Sequence, residues 1–431
     1  MYNSAFTLNE NPKLRYFTFF YLYVMQGVPT GFALTTMANY LVAKNVSSQA
    51  VGSFIAIVGI PWVAQFIWGP IIDRYQYSVI GHRKHWVVLT QIIAVIASLG
   101  LLLVQNPVQQ LFLLGLMFFI HSCFASVQDA SVDAMAIFLV PEAERGRVNA
   151  FMRGGFLMGI AIGAAGLSSV LHAYNFASAV MVQSALLLFF TILFFFTKLD
   201  RHDLLLPSFG NHHLPVNNNT ETLSLKILFN QLFAGLFQKK SLQTFGVIAA
   251  TYFCFSVFIR SYSYYLIHNL KWPDQDVSVL QGSWGSIATF LVIISGGVLA
   301  DRIGHAKFQS KVMYGLAIYL FVLNGLMLVA TNNYIAGTGL VIWNFADPLF
   351  SVAAFPILMK MCSKQVEGSQ FTAYMALVNF CDILGSYVTG WLLHITLAPV
   401  IGLCCGLILT SLIYLWQRLR KINIELVELP V

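Results

Sequence analysis

The feature that most constrains this chain is a succession of long apolar runs separated by polar connections. The runs cover residues 15–42, 50–72, 86–105, 110–139, 148–172, 176–197, 242–267, 277–300, 312–330, 334–361, 370–394 and 397–417. About 20 mostly apolar residues let an α-helix cross a bilayer. Only 10% of the residues are charged, against about 25% in soluble domains. The sequence therefore predicts an all-α membrane protein with twelve transmembrane helices, and excludes a soluble enzyme, a nucleic-acid binder and a disordered scaffold.

The basic residues predict how the helices are oriented. If the N-terminus is cytoplasmic, the outer connections hold only Lys44 and Lys271, and Arg153 and Arg260 lie within helices. All other Lys and Arg then fall in cytoplasmic segments, as expected for a membrane protein. We therefore expect a multi-pass protein of the inner (plasma) membrane with both termini cytoplasmic. The net charge of +7 reflects this orientation rather than an affinity for nucleic acid.

The chain also repeats itself. The segment WGPIIDRYQYSVIGHRKHW (68–86) follows the second run, and GGVLADRIGHAK (296–307) follows the eighth. Each places Gly, an Asp-Arg pair, then Gly-His and a base in a short connection. Two repeated six-helix halves are typical of secondary transporters. The repeat predicts halves at 1–197 and 242–431, joined by a cytoplasmic linker (198–241) that contains an amphipathic surface helix.

The connection after the second helix resembles the signature of the major facilitator superfamily. The matching residues are Gly69, Asp73, Arg74, Gly81, Arg83 and Lys84, and the second copy supplies Asp301, Arg302 and Gly304. The lengthened gap between Arg74 and Gly81, with Trp86 after the basic cluster, is similar to the muropeptide permease (AmpG) family and its acetyl-CoA transporter relatives. The resemblance implies two pseudo-symmetric halves, with Asp73 and Asp301 in cytoplasmic loops that act as conformational latches.

A second match lies in the fourth helix. The segment SVQDASVDAMAIFLVPEAERGRVNAF (126–151) resembles the family motif Gln-Asp-x-x-x-Asp-Ala followed by Leu-Pro-x-Glu-Glu-Arg-Gly. The family commonly has Trp after Asp-Ala, where this chain has Met135. The same pattern occurs in siderophore permeases of the superfamily, and some muropeptide permeases carry two more helices than this chain.

The resemblance implies a secondary transporter that imports a cell-wall muropeptide, such as a disaccharide-peptide, by alternating access. The energy source would be the proton gradient, with no cofactor and no metal, and the superfamily default is a monomer in the lipid bilayer. A siderophore permease is the alternative within transporters, and a non-transporting membrane sensor is the alternative from another class. An enzyme is not predicted, because neither a phosphate-binding loop nor a hydrolase motif occurs.

The fourth helix carries a polar stripe. Ser122, Ser126, Asp129 and Asp133 fall within about 60° of one another on an α-helix, and Gln128 is the glutamine of the family motif. A charged residue at the bilayer centre costs about 2.5–3.5 kcal/mol on insertion scales, so the stripe should face the bundle interior. Asp129 lies close to mid-membrane and can take up and release a proton, and Asp133 is the second candidate.

Other charges within the apolar runs are further candidates for the substrate or proton path. Arg153 lies as far from the turn between helices four and five as Asp133 does, so we expect an ion pair. Arg260 in helix seven can hold an anionic group of the substrate, although it can also snorkel to the interface. Asp347 and Asp382, in helices ten and eleven, are candidates for substrate binding or proton coupling.

Glycines on the fifth helix predict close packing. Gly155, Gly159 and Gly163 are spaced by four and share one face, which lets another helix approach closely. The resemblance implies that this partner is helix eight, which offers Gly282 and Gly285.

Overall fold

The computed structural model describes residues 7–76, 78–204, 233–330, 332–362 and 367–425. Within these ranges the chain is helical, and its one isolated β-bridge joins Thr7 to Lys198. Lipid offers no hydrogen-bond partners, so apolar runs of this length must satisfy their backbone groups internally, as a helix does. The prediction of an all-α membrane protein is confirmed. Most of the predicted surface helix at 223–240 lies outside the described residues.

Contacts divide the chain into two compact units. Unit 1 comprises Met1–Met37 and Ile57–Leu225, and unit 2 comprises Ala38–Ala56 and Lys226–Val431. The end of the first predicted helix and the start of the second therefore belong to unit 2. The halves at 1–197 and 242–431 were predicted from the sequence repeat, whereas the two units are defined by contacts between residues. The halves therefore stay a prediction.

Six long helices lie in the first part of the chain. They are α1 (Pro12–Gly31, continued by Phe32–Met37 and Ala38–Ala43), α2 (Ser48–Val63, continued by Gln65–Arg74), α3 (Lys84–Gly100), α4 (Leu111–Leu139), α5 (Glu142–Ala161, continued by Ile162–Gly166 and Leu167–Ala173) and α6 (Phe176–Phe196). The side chain of Asn11 accepts a hydrogen bond from the backbone N–H of Leu14 and caps α1. Asparagine suits this position because its oxygen satisfies an otherwise unpaired N–H of the first turn.

Six further long helices follow. They are α7 (Lys239–Tyr264, continued by Tyr265–Asn269), α8 (Gly285–Ile303, preceded by Asp274–Val279 and Leu280–Trp284), α9 (His305–Val329), α10 (Ala346–Met361, preceded by Asn333–Trp343), α11 (Glu367–Ile395) and α12 (Ala398–Glu425). In unit 2, α7 packs against α11 and α12, and α9 packs against α12.

Ten helical stretches of the described residues are long and apolar enough to cross a membrane. The two remaining predicted runs, 15–42 and 277–300, are also helical, in α1 and α8. A helix from Pro12 to Ala43 extends about 48 Å at 1.5 Å per residue, more than the hydrocarbon core of about 30 Å. The exact number of twelve transmembrane helices stays a prediction.

The core of unit 1 lies between α1, α3, α4 and α6. Fully buried side chains there include Phe19, Leu22, Val87 and Met135. Met135 is the residue that stands where the muropeptide permease motif commonly has Trp. Because the Met135 side chain packs in this core, the presence of Met in place of Trp affects the packing of unit 1.

The glycine face of α5 lies against α1. A Cβ atom added at Gly155, Gly159 or Gly163 would collide with backbone atoms of α1 at Phe20, Val24 or Val28. The nearest neighbours of these glycines are therefore in α1, and the expected contact with helix eight stays a prediction. Four-residue spacing predicts that some helix approaches closely, but it carries no information on which helix does.

Candidate functional site

The two aspartates of α4 receive hydrogen bonds from two other helices of unit 1. Asp129 Oδ2 accepts a hydrogen bond from Gln65 Nε2 of α2 at 2.5 Å. Asp133 Oδ1 accepts a hydrogen bond from the Tyr23 hydroxyl of α1. Asp129 is half-buried and Asp133 is exposed. Sequence reasoning missed Tyr23 and Gln65, because a single neutral polar residue within an apolar run is a weak signal.

The remainder of the polar stripe is buried. Ser122 and Ser126 have almost no exposed surface, and the Ser126 hydroxyl donates to the Cys123 carbonyl of its own helix at 2.9 Å. Gln128 of α4 and Gln26 of α1 are also buried. The Gln26 side chain contacts the Asp129 carboxylate. Within the described part of the chain, Gln128 Nε2 has no hydrogen-bond partner.

The structure does not join Asp133 to Arg153. The Asp133 carboxylate bonds to Tyr23, whereas the exposed Arg153 guanidinium lies over the Phe156 ring, 5.8 Å from its centroid. The predicted ion pair is therefore wrong. Equal distance from a turn sets only the depth of the two residues, whereas α4 packs chiefly on α3 and α5 chiefly on α1.

The loop between α2 and α3 is ordered by hydrogen bonds from its basic residues. Arg83 Nη1 donates to the carbonyl oxygen of Ala134 at 3.0 Å, and Nη2 donates to Gln76 Oε1 at 2.9 Å. The fully buried Lys84 donates from Nζ to the Phe195 carbonyl at 2.9 Å. Ala134 directly follows Asp133, so this loop contacts α4 beside the acidic stripe.

The remaining latch candidates are described only in part. Gly81 and Gly304 have φ of 127° and 87°, a backbone region that favours glycine because it has no Cβ. Gly69 has no atom within 4 Å of a Cβ added to it, and Arg302 is exposed. The side chains of Asp73, Arg74 and Asp301 lie outside the described part of the chain. The latch therefore stays a prediction.

An ion pair joins the start of α1 to the start of α5. Arg15 Nη2 lies 2.7 Å from Glu144 Oε2, and Nη1 donates to the carbonyl oxygens of Leu8 and Asn9. Glu144 precedes the membrane-spanning part of α5, which begins at Arg147. The hydrogen bond from Arg15 holds the pKa of Glu144 below its ordinary value of 4.5.

In unit 2, two charged candidates from different helices lie together. Arg260 Nε of α7 donates to Ser386 Oγ of α11 at 3.2 Å. The Ser256 hydroxyl lies 3.0 Å from Ser386 Oγ and donates to the backbone carbonyl of Asp382 at 2.6 Å. Asp382 is close enough to Arg260 to interact with it electrostatically. Ser256 and Arg260 are one turn apart on α7, as are Asp382 and Ser386 on α11, so the two helices contact along these faces.

Arg260 also lines a cavity of about 30 Å³ in unit 2. The polar residues lining it include Asn39, Ser48, Ser263, Tyr264, Ser386 and Thr389. The end of α1 closes one side, because Asn39 Nδ2 lies 2.9 Å from Ser278 Oγ and 3.0 Å from Gln281 Oε1. The start of α2 closes another, where the Ser48 hydroxyl donates to the Gly390 carbonyl at 2.9 Å.

Asp347 does not line this cavity. It is exposed at the start of α10, and Oδ1 accepts a hydrogen bond from Ser351 Oγ at 2.9 Å. The Tyr252 hydroxyl of α7 lies 2.7 Å from the same serine oxygen. Within the described residues, no group of three or more His, Cys, Asp or Glu side chains could hold a metal ion.

Comparison with known proteins places these features in a family context. The family model described as Major Facilitator Superfamily matches residues 16–386. The chain is 23% identical over 369 residues to an anhydromuropeptide permease of Escherichia coli (strain K12), covering 85% of this chain and 71% of that protein. It is 22% identical over 416 residues to a protein of Rickettsia prowazekii (strain Madrid E) named as transporter AmpG 3, covering 92% of this chain and 90% of that protein.

A solved structure shares the fold. The crystal structure of the nucleoside transporter NupG superposes with a TM-score of 0.68, covering 94% of this chain and 99% of that one, at 15% sequence identity. Similarity at this level of identity establishes a common architecture and leaves the solute open.

Proposed function

Because this chain belongs to the major facilitator superfamily, we propose that it imports a cell-wall muropeptide or a similar solute together with protons. The chain is a multi-pass membrane permease of the AmpG type, and its relatives are transporters rather than enzymes. In our proposal it lies in the inner membrane with both termini cytoplasmic and works as a monomer by alternating access. The proton gradient supplies the energy.

The hydrogen bonding of the two α4 aspartates is the observation that carries proton coupling. Asp129 and Asp133 are one helical turn apart, about 6 Å along the axis, and their observed partners, Gln65 and Tyr23, are neutral. A carboxylate bonded to a neutral donor can gain or lose a proton without breaking an ion pair. Asp133 is accessible and Asp129 is half-buried, so we assign proton entry to Asp133 and proton storage to Asp129.

Sequence similarity supports a muropeptide as the solute. The Escherichia coli relative is named an anhydromuropeptide permease, and the quoted α4 motif is that of the same family. Met135, which differs from the family motif, lies in the core of unit 1 and so does not argue for another solute.

Alternating access needs a part of the protein whose position changes when the proton-carrying residue gains or loses its proton. We assign that role to the loop between α2 and α3, because Arg83 bonds to α4 directly after Asp133. A change in the protonation of Asp133 can then alter the position of this loop. Asp73, at the end of α2 just before this loop, is the proposed latch carboxylate.

Uptake into vesicles tests this proposal. Right-side-out membrane vesicles that contain the protein should accumulate a radiolabelled anhydromuropeptide when the outside is acidic, and a protonophore should abolish the accumulation. Vesicles without the protein provide the control. Equilibration that is unaffected by the protonophore would overturn proton coupling. No uptake of the solute in any condition would contradict the muropeptide assignment and favour another solute or the sensor hypothesis.

A further inference from the structure

The cavity beside Arg260 has an electrostatic character that the proposed function does not use. Among the described residues that line it, Arg260 is the only charged one, and the other polar lining groups are hydroxyls and the amide of Asn39. The hydrogen bond from Arg260 Nε to Ser386 holds the base of the guanidinium against α11. The cavity is therefore positively charged and rich in neutral hydrogen-bonding groups.

The size of the cavity limits what it can hold. About 10–15 Å³ is needed for one water molecule, so a cavity of about 30 Å³ admits a group of two or three heavy atoms. A disaccharide-peptide is far too large to enter as a whole. A single carboxylate has the appropriate size, and a planar guanidinium binds carboxylates through two parallel hydrogen bonds.

We propose that this cavity receives a carboxylate of the transported solute, with Arg260 as the group that binds it. The inference rests on the proposed transport function and adds which residue of this chain binds a carboxylate of the solute. Ser263 and Thr389 line the same cavity, and their hydroxyls donate to the carbonyl oxygens of Ile259 and Gly385 in their own helices. Asp382 acts in the opposite sense, because its negative charge beside Arg260 reduces the positive potential in the cavity.

The charge of Asp382 makes the proposal testable in two directions. If the cavity binds an anion, Arg260→Gln should weaken binding and Asp382→Asn should strengthen it. If Arg260 and Asp382 only hold α7 against α11, both substitutions should change the stability of the protein alone. Their effect on binding should then not depend on the charge of the ligand. Arg260→Lys keeps the charge but loses the planar fork, so intermediate binding is expected.

Binding to the purified full-length protein in detergent provides the test. The probes are an anhydromuropeptide with free peptide carboxylates, the same compound with those carboxylates amidated, and formate at constant ionic strength. Affinity is measured from the rise in melting temperature with probe concentration. The control is Arg201→Gln, which removes an exposed arginine of unit 1 that pairs with Glu10.

We expect the wild type to bind the free acid at least about tenfold more tightly than the amide, the range for a hydrogen bond to a charged group. Arg260→Gln should lose that preference, Asp382→Asn should enlarge it, and Arg201→Gln should keep it. Equal binding of acid and amide by the wild type, or a preference retained in Arg260→Gln, would overturn the proposal.

Failure of the proposed function has a different outcome. If neither muropeptide form binds, the solute assignment is wrong, and the formate titration decides the anion site. A formate-induced rise in melting temperature that Arg260→Gln abolishes would support the site, whereas a rise of equal size in Arg260→Gln, or no rise in the wild type, would overturn it. If Arg260→Gln does not fold, Arg260→Lys and Asp382→Asn give the same comparison.

Discussion

The side-chain amide nitrogen of Gln65 lies 2.5 Å from Asp129 Oδ2, so a carboxylate in the middle of α4 is held by a neutral group from α2. The amide can donate to the ionised carboxylate, and its carbonyl oxygen can accept from the protonated acid after rotation. Gln65 can therefore bond to both protonation states of Asp129. A partner of this kind suits a proton carrier better than a fixed cation does.

Asp129→Asn should abolish accumulation driven by a pH gradient, because asparagine cannot bind and release a proton in this range. Exchange of labelled for unlabelled solute without a gradient should persist, since the side chain keeps its shape. The matched control is Ser131→Ala on the same helix, whose hydroxyl donates to the Val127 carbonyl of α4. Uphill uptake by Asp129→Asn at the wild-type level would refute the assignment.

The partners of Asp133 can be separated by two double-mutant cycles. Tyr23→Phe combined with Asp133→Asn should show a coupling energy of about 1 kcal/mol, because the hydroxyl donates to that carboxylate. Arg153→Gln combined with Asp133→Asn should be additive within about 0.5 kcal/mol. Chemical denaturation in detergent gives both values. Strong coupling in the second cycle, with none in the first, would contradict the observed hydrogen bond.

Gly159→Ala should destabilise unit 1 by about 1–3 kcal/mol, the usual cost of overpacking a tight contact. The added Cβ would meet backbone atoms of Val24 and Val28 in α1, which cannot move without displacing the helix. Gly154→Ala is the matched control, because no other described part of the chain lies within 4 Å of its added Cβ. That variant should be neutral or slightly more stable, since alanine favours helix. Equal melting temperatures for the two variants would argue against the α1–α5 contact.

The Arg15–Glu144 pair predicts a pH dependence of stability. Because Arg15 lowers the pKa of Glu144 in the folded state, the pair stabilises the protein above the ordinary value of 4.5. That contribution should disappear as the pH falls through the lowered pKa. Between neutral pH and about pH 3, the melting temperature of Glu144→Gln should therefore fall less than that of the wild type.

The exposed pair of Glu10 and Arg201 provides the control for that measurement. Exposed ion pairs contribute little to stability, so Glu10→Gln should follow the wild-type pH profile. A Glu144→Gln profile that also coincides with the wild type would show that the contact with Arg15 contributes nothing to the acid sensitivity.

The sequence by itself determined the elements of this protein. Long apolar runs leave the backbone no stable arrangement in lipid except a helix, and the connection after α2 together with the α4 motif was enough to indicate the family. The stripe that contains Asp129 and Asp133 also followed from helical periodicity alone, because residues one turn apart share a face.

Only the tertiary structure decided which residues meet. Periodicity fixes the depth of a side chain and the face it shares, but the choice of neighbouring helix depends on packing between distant parts of the chain. For that reason Asp133 contacts Tyr23 rather than Arg153, and the glycine face of α5 at Gly159 contacts α1. The same physical reason applies to Arg260 and Ser386, which are 126 residues apart in sequence and bonded at 3.2 Å in the fold.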